Sequence, residues 1–171
     1  MRKQKGFSLI ELLIVVAIIL IIAAIAIPNL LRSRIAANEA SAVGSLRTIN
    51  TAEVTYASTY PANGFANNLA ALGPGGTVGN TTANSTNAIL LDGVLGCSGA
   101  TASNGPCVKS GYTFAVSGPA AVAGSPTPTY QSTANPVTVD QTGKRYFYSD
   151  ASGVIRYNAT TAAASTDAPL Q

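Results

Sequence analysis

Hydrophobic residues are distributed unevenly along this 171-residue chain. From residue 7 to residue 27 nearly every position is apolar, and Glu11 is the one charged residue of that run. About 20 apolar residues in a helix cross a ~30 Å hydrocarbon core, because each helical residue rises ~1.5 Å. The pattern therefore predicts a helix that can span a membrane, preceded by a short basic peptide over residues 1–6.

After this run, apolar residues recur at steps of three and four, which predicts that residues 32–60 continue the same helix in amphipathic form. Pro28 removes one helical hydrogen bond, so we expect a kink where residues 7–31 end. The series that should pack against the rest of the protein consists of Val43, Leu46, Ile49, Tyr56 and Tyr60, with Glu53 as its one polar member.

Glycine, asparagine and threonine dominate the next part of the chain, residues 61–108, which predicts a variable connector. The run that begins at Pro61 should end the long helix. Within the connector we expect a brief helical turn at residues 67–72 and a second short helix at residues 86–95.

Alternating apolar and polar residues in the last part, residues 109–171, predict an antiparallel sheet of three or four strands. Residues 112–116 form the clearest strand, and residues 137–139 a weaker one. Residues 145–148 and 154–157 flank a turn that contains Gly153, which is typical of a hairpin. The polar tail from Asn158 onward is expected to be loosely held. The fold class is α+β.

The composition argues against an enzyme. The chain has no histidine and only two cysteines, so a Ser-His-Asp triad or a catalytic zinc site cannot be built. We therefore predict no catalytic residue, no metal site and no cofactor. A membrane-tethered enzyme is the alternative from a different class, and no nucleophile with an adjacent base supports it.

The two cysteines, Cys97 and Cys107, lie close together in sequence and beyond the apolar segment. With the basic N-terminus inside the cell, they would lie in an oxidising compartment, where a disulfide is the usual state. Two unpaired cysteines are less consistent with the glycines and polar residues around them. Closing so short a loop should stabilise the fold by about 2–3 kcal/mol.

Three interpretations of the N-terminal segment compete. A secretory signal peptide needs a shorter apolar core and a small-residue cleavage site. A plain membrane anchor explains Arg2, Lys3 and Lys5 but leaves Glu11 unexplained. A carboxylate within a membrane costs roughly 2.5–3.5 kcal/mol and by default marks a functional site.

The third interpretation accounts for every residue. Residues 5–12, KGFSLIEL, resemble the class III signal of the type IV pilin and pseudopilin family. The resemblance implies that a membrane-embedded prepilin peptidase cuts between Gly6 and Phe7, and that Phe7 is then N-methylated. It also implies that Glu11 is the acidic partner of a neighbouring subunit's N-terminal amine during assembly. The type IV pilin fold, a long helix packed on an antiparallel sheet, agrees with the predicted order of elements.

Removal of residues 1–6 takes away three of the ten basic residues and leaves seven against seven acidic ones. The high pI therefore belongs to the leader, and we predict no nucleic-acid partner for the isolated subunit.

The resemblance implies a structural subunit of a type IV pilus, for surface motility, adhesion or DNA uptake. Its expected partners are copies of itself in a helical homopolymer, the prepilin peptidase, and an inner-membrane assembly platform with its ATPases. Before assembly, membrane lipid surrounds the helix and the head lies in the periplasm; afterwards the subunit belongs to an extracellular pilus. The alternative is a major pseudopilin of type II secretion.

Major pseudopilins hold calcium between their last strands, which directs attention to Asp140, Asp150 and Ser152. Calcium prefers six to eight oxygen ligands. Two acids ten residues apart supply too few, so we interpret both as turn-forming residues.

Overall fold

The computed structural model describes residues 7–75, 82–97, 107–119 and 125–170. The chain divides into two compact units, Met1–Arg34 and Ile35–Gln171. The second unit, called the head below, contains the C-terminal half of the long helix together with the sheet.

The predicted long helix is confirmed as α1, Leu9–Thr59, which continues through Pro28 without interruption. It ends where the sequence places a proline, and the amide of Tyr60 still donates to the carbonyl of Tyr56 at 2.8 Å. Gly64 then adopts a φ of 71°, a left-handed conformation that favours glycine, and the chain turns back. A bend of the helix axis at Pro28 stays a prediction.

Among the residues that the structure describes, the sheet has five antiparallel strands in the order β1-β2-β3-β4-β5, one more than the upper limit of the prediction. The strand predicted at residues 112–116 is confirmed, and so is the hairpin, whose strands pair Phe147 with Tyr157. The strands are β1 Cys107–Lys109, β2 Tyr112–Ser117, β3 Gln131–Pro136, β4 Tyr146–Asp150 and β5 Arg156–Asn158. The helix-plus-sheet order is consistent with the type IV pilin α+β fold.

The strand predicted at residues 137–139 is wrong, because the chain pairs one segment earlier, as β3. This strand, QSTANP, carries no bulky apolar residue and therefore lacks the alternating pattern of a half-buried strand. Its inward positions are small instead: Ser132 and Ala134 are fully buried. Small side chains suit a central strand that lies between β2 and β4.

The helix predicted at residues 86–95 is also wrong. A short helix α2, Leu69–Leu72, does form where a helical turn was expected, and Asn68 caps it by accepting from the amide of Ala71. The later segment donates its amides to this helix: Ala88 to Ala71, and both Leu90 and Leu91 to Leu72. Amides that are bonded to another segment cannot build a helix of their own.

The core of the head lies between α1 and the sheet. Leu46, Ile49 and Tyr56, three members of the predicted apolar series, are buried there. They belong to the same cluster as Phe114 and Phe147 from the strands. The amphipathic pattern thus identified the helix face that packs on the sheet.

The C-terminal tail is held firmly, contrary to the prediction. The amide of Leu170 donates to the carbonyl of Ile155 at 2.8 Å, and the amide of Tyr157 donates to Ala168 at 3.1 Å. Arg156 reaches the carbonyl of Asp167 with Nη1 at 2.8 Å. The tail therefore covers the outer edge of β5, which would otherwise expose unpaired backbone groups.

Candidate functional site

The predicted assembly residue Glu11 lies in the first turn of α1, close to Phe7 in sequence. Its Oε2 atom accepts a hydrogen bond from the amide of Ser8 at 2.9 Å. A serine followed three residues later by a glutamate has the spacing of a capping box, in which the glutamate satisfies an amide at the start of the helix. The spacing of Ser8 and Glu11 indicates this capping role in the sequence, but the sequence analysis did not predict it.

Within the part of the chain that the structure describes, almost all side chains of the apolar run are exposed. Phe7 is 81% exposed, and Leu20 and Leu30 are exposed by 63% and 72%. By length and composition this part of α1 can cross a membrane, and none of that stretch is buried. Apolar surface gains roughly 25 cal/mol per Å² when it leaves water, so this surface favours an apolar surrounding such as lipid or other copies of the helix.

Gly6 lies outside the described residues, so the predicted cleavage site has no geometry here. Phe7, Glu11 and Pro28 all belong to the first unit, and the two cysteines belong to the head. The structure describes these two groups separately.

Of the acids considered for calcium, Asp140 lies in a turn, and Asp150 is the last residue of β4, directly before a turn. The Oδ1 atom of Asp150 accepts from the amide of Ser152 at 2.9 Å and from its hydroxyl. These hydrogen bonds hold the pKa of Asp150 below its usual value. Asp140 forms an exposed ion pair with Lys144 at 3.3 Å. Within the described ranges, no three residues of the metal-binding types His, Cys, Asp and Glu cluster together.

Cys97 and Cys107 are joined in a disulfide. The bond connects Cys97, within the connector, to Cys107, the first residue of β1, which is the edge strand of the sheet. A second link runs parallel to it, since Lys109 pairs with Asp92 at 2.9 Å. Together the two links hold β1 against the connector.

Replacing both cysteines by serine should lower the free energy of unfolding by about 2–3 kcal/mol, because the unfolded chain regains the freedom of the ten-residue loop. Thermal unfolding of the detergent-solubilised chain, followed by circular dichroism, measures this difference. Asp92→Asn, which removes only the partly exposed ion pair, should cost less than about 1 kcal/mol. A double-serine variant as stable as the wild type would contradict the expected contribution of the disulfide.

The comparisons with known proteins match parts of the chain. The family model for the prokaryotic N-terminal methylation motif matches residues 1–27. This chain has the N-terminal methylation motif of type IV prepilins. Over 39 residues it is 67% identical to the type IV wide pilus major component PilA4 of Thermus thermophilus. Over 54 residues it is 44% identical to the type IV major pilin protein PilA of Myxococcus xanthus.

These matches cover 23% and 32% of this chain, and 30% and 24% of the two relatives. The chain thus matches less than a third of the length of each relative. The comparison with solved structures gives no significant match. The resemblance to type IV pilins is confirmed by this N-terminal type IV pilin motif, while the head must be interpreted from its own residues.

Proposed function

We propose that this chain is the structural subunit of a type IV pilus and that it assembles with copies of itself into a filament. The observation that carries the proposal is the N-terminal methylation motif at the start of an apolar helix whose large apolar side chains are exposed. Such a helix suits both a lipid surrounding before assembly and a surrounding of identical helices afterwards.

Processing follows from the motif. A membrane-embedded prepilin peptidase cuts between Gly6 and Phe7, and Phe7 receives an N-methyl group. The cut creates a cationic amine about one helical turn from Glu11, and the start of a helix already carries a partial positive charge. A carboxylate at this position can partly neutralise both.

The new amine also offers a partner for a carboxylate on the next subunit. A buried ion pair is a weak source of stability, but it can fix the register between helices. We infer that Glu11 receives the Phe7 amine of a neighbouring subunit and so sets the axial position at which each subunit joins.

The head then lies in the periplasm while the helix is in the inner membrane, and on the cell surface once the filament is built. An assembly platform with its ATPases drives that transfer. Motility, adhesion or DNA uptake would be the roles of the filament. We infer a structural rather than an enzymatic subunit. The pseudopilin alternative is not favoured, because both relatives are named as pilus components.

Filaments sheared from the cells that produce this protein should contain a polypeptide whose first residue is N-methylated Phe7. Mass spectrometry of the N-terminal peptide checks the cut and the methyl group in one measurement. A Gly6→Val variant, with a branched side chain at the cleavage site, should keep its leader and yield no filaments. Fibres built from chains that still begin at Met1 would contradict the proposal.

A further inference from the structure

Glu53 is the one polar member of the buried helix series, and it is fully buried, with an exposed fraction of 0%. Its Oε2 atom accepts a hydrogen bond from the amide of Ala66 at 2.9 Å. Among the residues that the structure describes, its Oε1 atom has no hydrogen-bond partner. A carboxyl group in this position is only half satisfied.

Among the described residues, Glu53 interacts electrostatically with two tyrosines, Tyr56 and Tyr130. Tyr56 lies on the same helix beside Tyr60, and Tyr130 approaches from the segment before β3. Asp150, at the end of β4, acts on Tyr130. The ion pairs of the described part of the chain involve Asp92, Asp140 and Glu39, and none includes Glu53.

A negative charge at Glu53 would therefore have neither water nor a cation to stabilise it. Burial raises the pKa of Glu53 to about 8, although the hydrogen bond from Ala66 acts in the opposite direction. The neighbouring tyrosines show the same environment, since burial and then the charge of Glu53 raise the pKa of Tyr130 to about 12.

The amide that Glu53 holds belongs to the chain reversal after α1. On one side of Ala66, the amide of Phe65 donates to the carbonyl of Thr127 at 3.1 Å, and Thr127 donates back to Asn63 at 2.8 Å. On the other side the connector leads to Asn68, the cap of α2. Among the described contacts, the carboxyl group of Glu53 is thus the direct side-chain link between α1 and the start of the connector.

We propose that Glu53 is a pH-sensitive latch: in its protonated form it fastens the connector at Ala66 to helix α1, and its ionisation releases that segment. The fastened state keeps the proton, whereas the released state exposes the carboxyl group to water and loses it. Rising pH therefore favours release, and falling pH favours closure.

The linkage has a defined sign and window. The pKa of Glu53 is about 8 in the fastened state, and its ordinary value in water is 4.5. Between pH 4.5 and pH 8 the fastened state therefore binds one proton more than the released state. The equilibrium for release should then rise by about tenfold per pH unit across that window and level off above it. Below pH 4.5 both states are protonated, and no dependence on Glu53 remains.

Hydrogen exchange of the full-length chain in detergent micelles tests the latch. Between pH 5 and pH 7, inside the window set by the two pKa values, protection of the amides at residues 65–68 should fall by about tenfold per pH unit, after correction for intrinsic exchange. Glu53→Gln keeps an oxygen for the amide of Ala66 but cannot ionise, so its protection should change by less than about twofold per pH unit.

Asp140→Asn is the matched control, because it removes a carboxylate whose side chain is 71% exposed and should retain the wild-type dependence. Equal slopes in the wild type and in Glu53→Gln would overturn the proposal. Should Glu53→Gln fail to fold, the wild type alone decides. Glutamate labelled with ¹³C gives only three side-chain carboxyl resonances, from Glu11, Glu39 and Glu53. A folded-state resonance of Glu53 that titrates near the ordinary value of 4.5 would also overturn it.

Discussion

Replacing Glu11 by valine should reduce surface filaments by more than about tenfold while the amount of subunit in the membrane stays the same. Loss of one partner of a buried charge pair costs ~3–5 kcal/mol, and ~1.4 kcal/mol corresponds to a factor of ten. Valine suits lipid better than a carboxylate does, so insertion should not suffer. Filament counts by electron microscopy, with immunoblots of membrane fractions, measure both quantities.

Glu11 has two roles that a single substitution would confuse, because its carboxylate also caps the helix at the amide of Ser8. Glu11→Gln keeps an acceptor for that amide and removes the charge, so it should assemble as poorly as the valine variant if charge sets the register. Glu11→Asp keeps the charge on a side chain one methylene shorter and should give intermediate filament numbers.

Ser33→Ala is the control for substitution in α1 as such, since the hydroxyl of Ser33 is exposed and donates only to the carbonyl of Asn29 within the helix. Its filaments should be normal. Normal filament numbers in both Glu11→Gln and Glu11→Val would show that the carboxylate is not the assembly partner of the Phe7 amine.

The long helix could be predicted from the sequence because its signal is local and long. The apolar run and the amphipathic series predict the helix, and the proline at residue 61 predicts its end, without any knowledge of tertiary contacts. The hairpin of β4 and β5 was predicted for the same reason, from aromatic and β-branched residues that flank Gly153. The N-terminal motif likewise lies within eight consecutive residues.

The errors share a different cause, which is that the fold there depends on contacts between distant segments. The six residues of β3 form a strand because two neighbouring strands supply hydrogen bonds. The small side chains of β3 do not show the alternating apolar pattern that predicts a strand. The segment that contains Leu90 has a helical pattern, but its amides donate to carbonyls of α2 and therefore cannot form a helix. The tail is polar, which predicted a loose segment, but it pairs with the edge of β5 between Pro169 and Arg156. Glu53 was predicted as the one polar member of the packing face, but its hydrogen bond to the amide of Ala66 depends on a contact that the sequence does not show.

Two buried glutamates on α1 have opposite electrostatic environments in the head. Glu53 and Glu39 lie fourteen residues apart, close to four helical turns, and therefore lie on the same side of the helix, where both are buried. Glu53 has one amide and no cation, whereas Glu39 has three N–H donors. Ionisation is unfavourable at the first position and favourable at the second.

The Glu39 site joins α1 to the loop before β4. Its Oε1 atom accepts from the amides of Lys144 and Arg145 at 2.9 and 3.2 Å, and its Oε2 atom accepts from Nε of Arg145 at 2.7 Å. The guanidinium also lies 5.5 Å from the ring centres of Phe147 and Tyr157. One arginine thus connects the helix, the loop and two strands.

Glu39→Ala should lower the free energy of unfolding by about 3 kcal/mol, and the melting temperature by roughly 10 °C. The substitution leaves two loop amides without their acceptor, while Arg145, whose side chain is 39% exposed, recovers part of its solvation from water. Thermal unfolding of the detergent-solubilised chain near neutral pH measures the loss. Asp140→Asn, which breaks an exposed pair with Lys144, should cost less than about 0.5 kcal/mol.

Acidification distinguishes this ion pair from simple packing. Burial opposes the charge of Glu39, but the amides of Lys144 and Arg145 and the guanidinium together hold its pKa below 4.5. A group whose pKa is lowered by folding stabilises the fold above its ordinary pKa and loses that contribution as the pH falls through the lowered value. The stability difference between the wild type and Glu39→Ala should therefore be full at pH 6 and shrink well below pH 4.5. A difference that stays constant on acidification would mean that Glu39 acts through its shape alone.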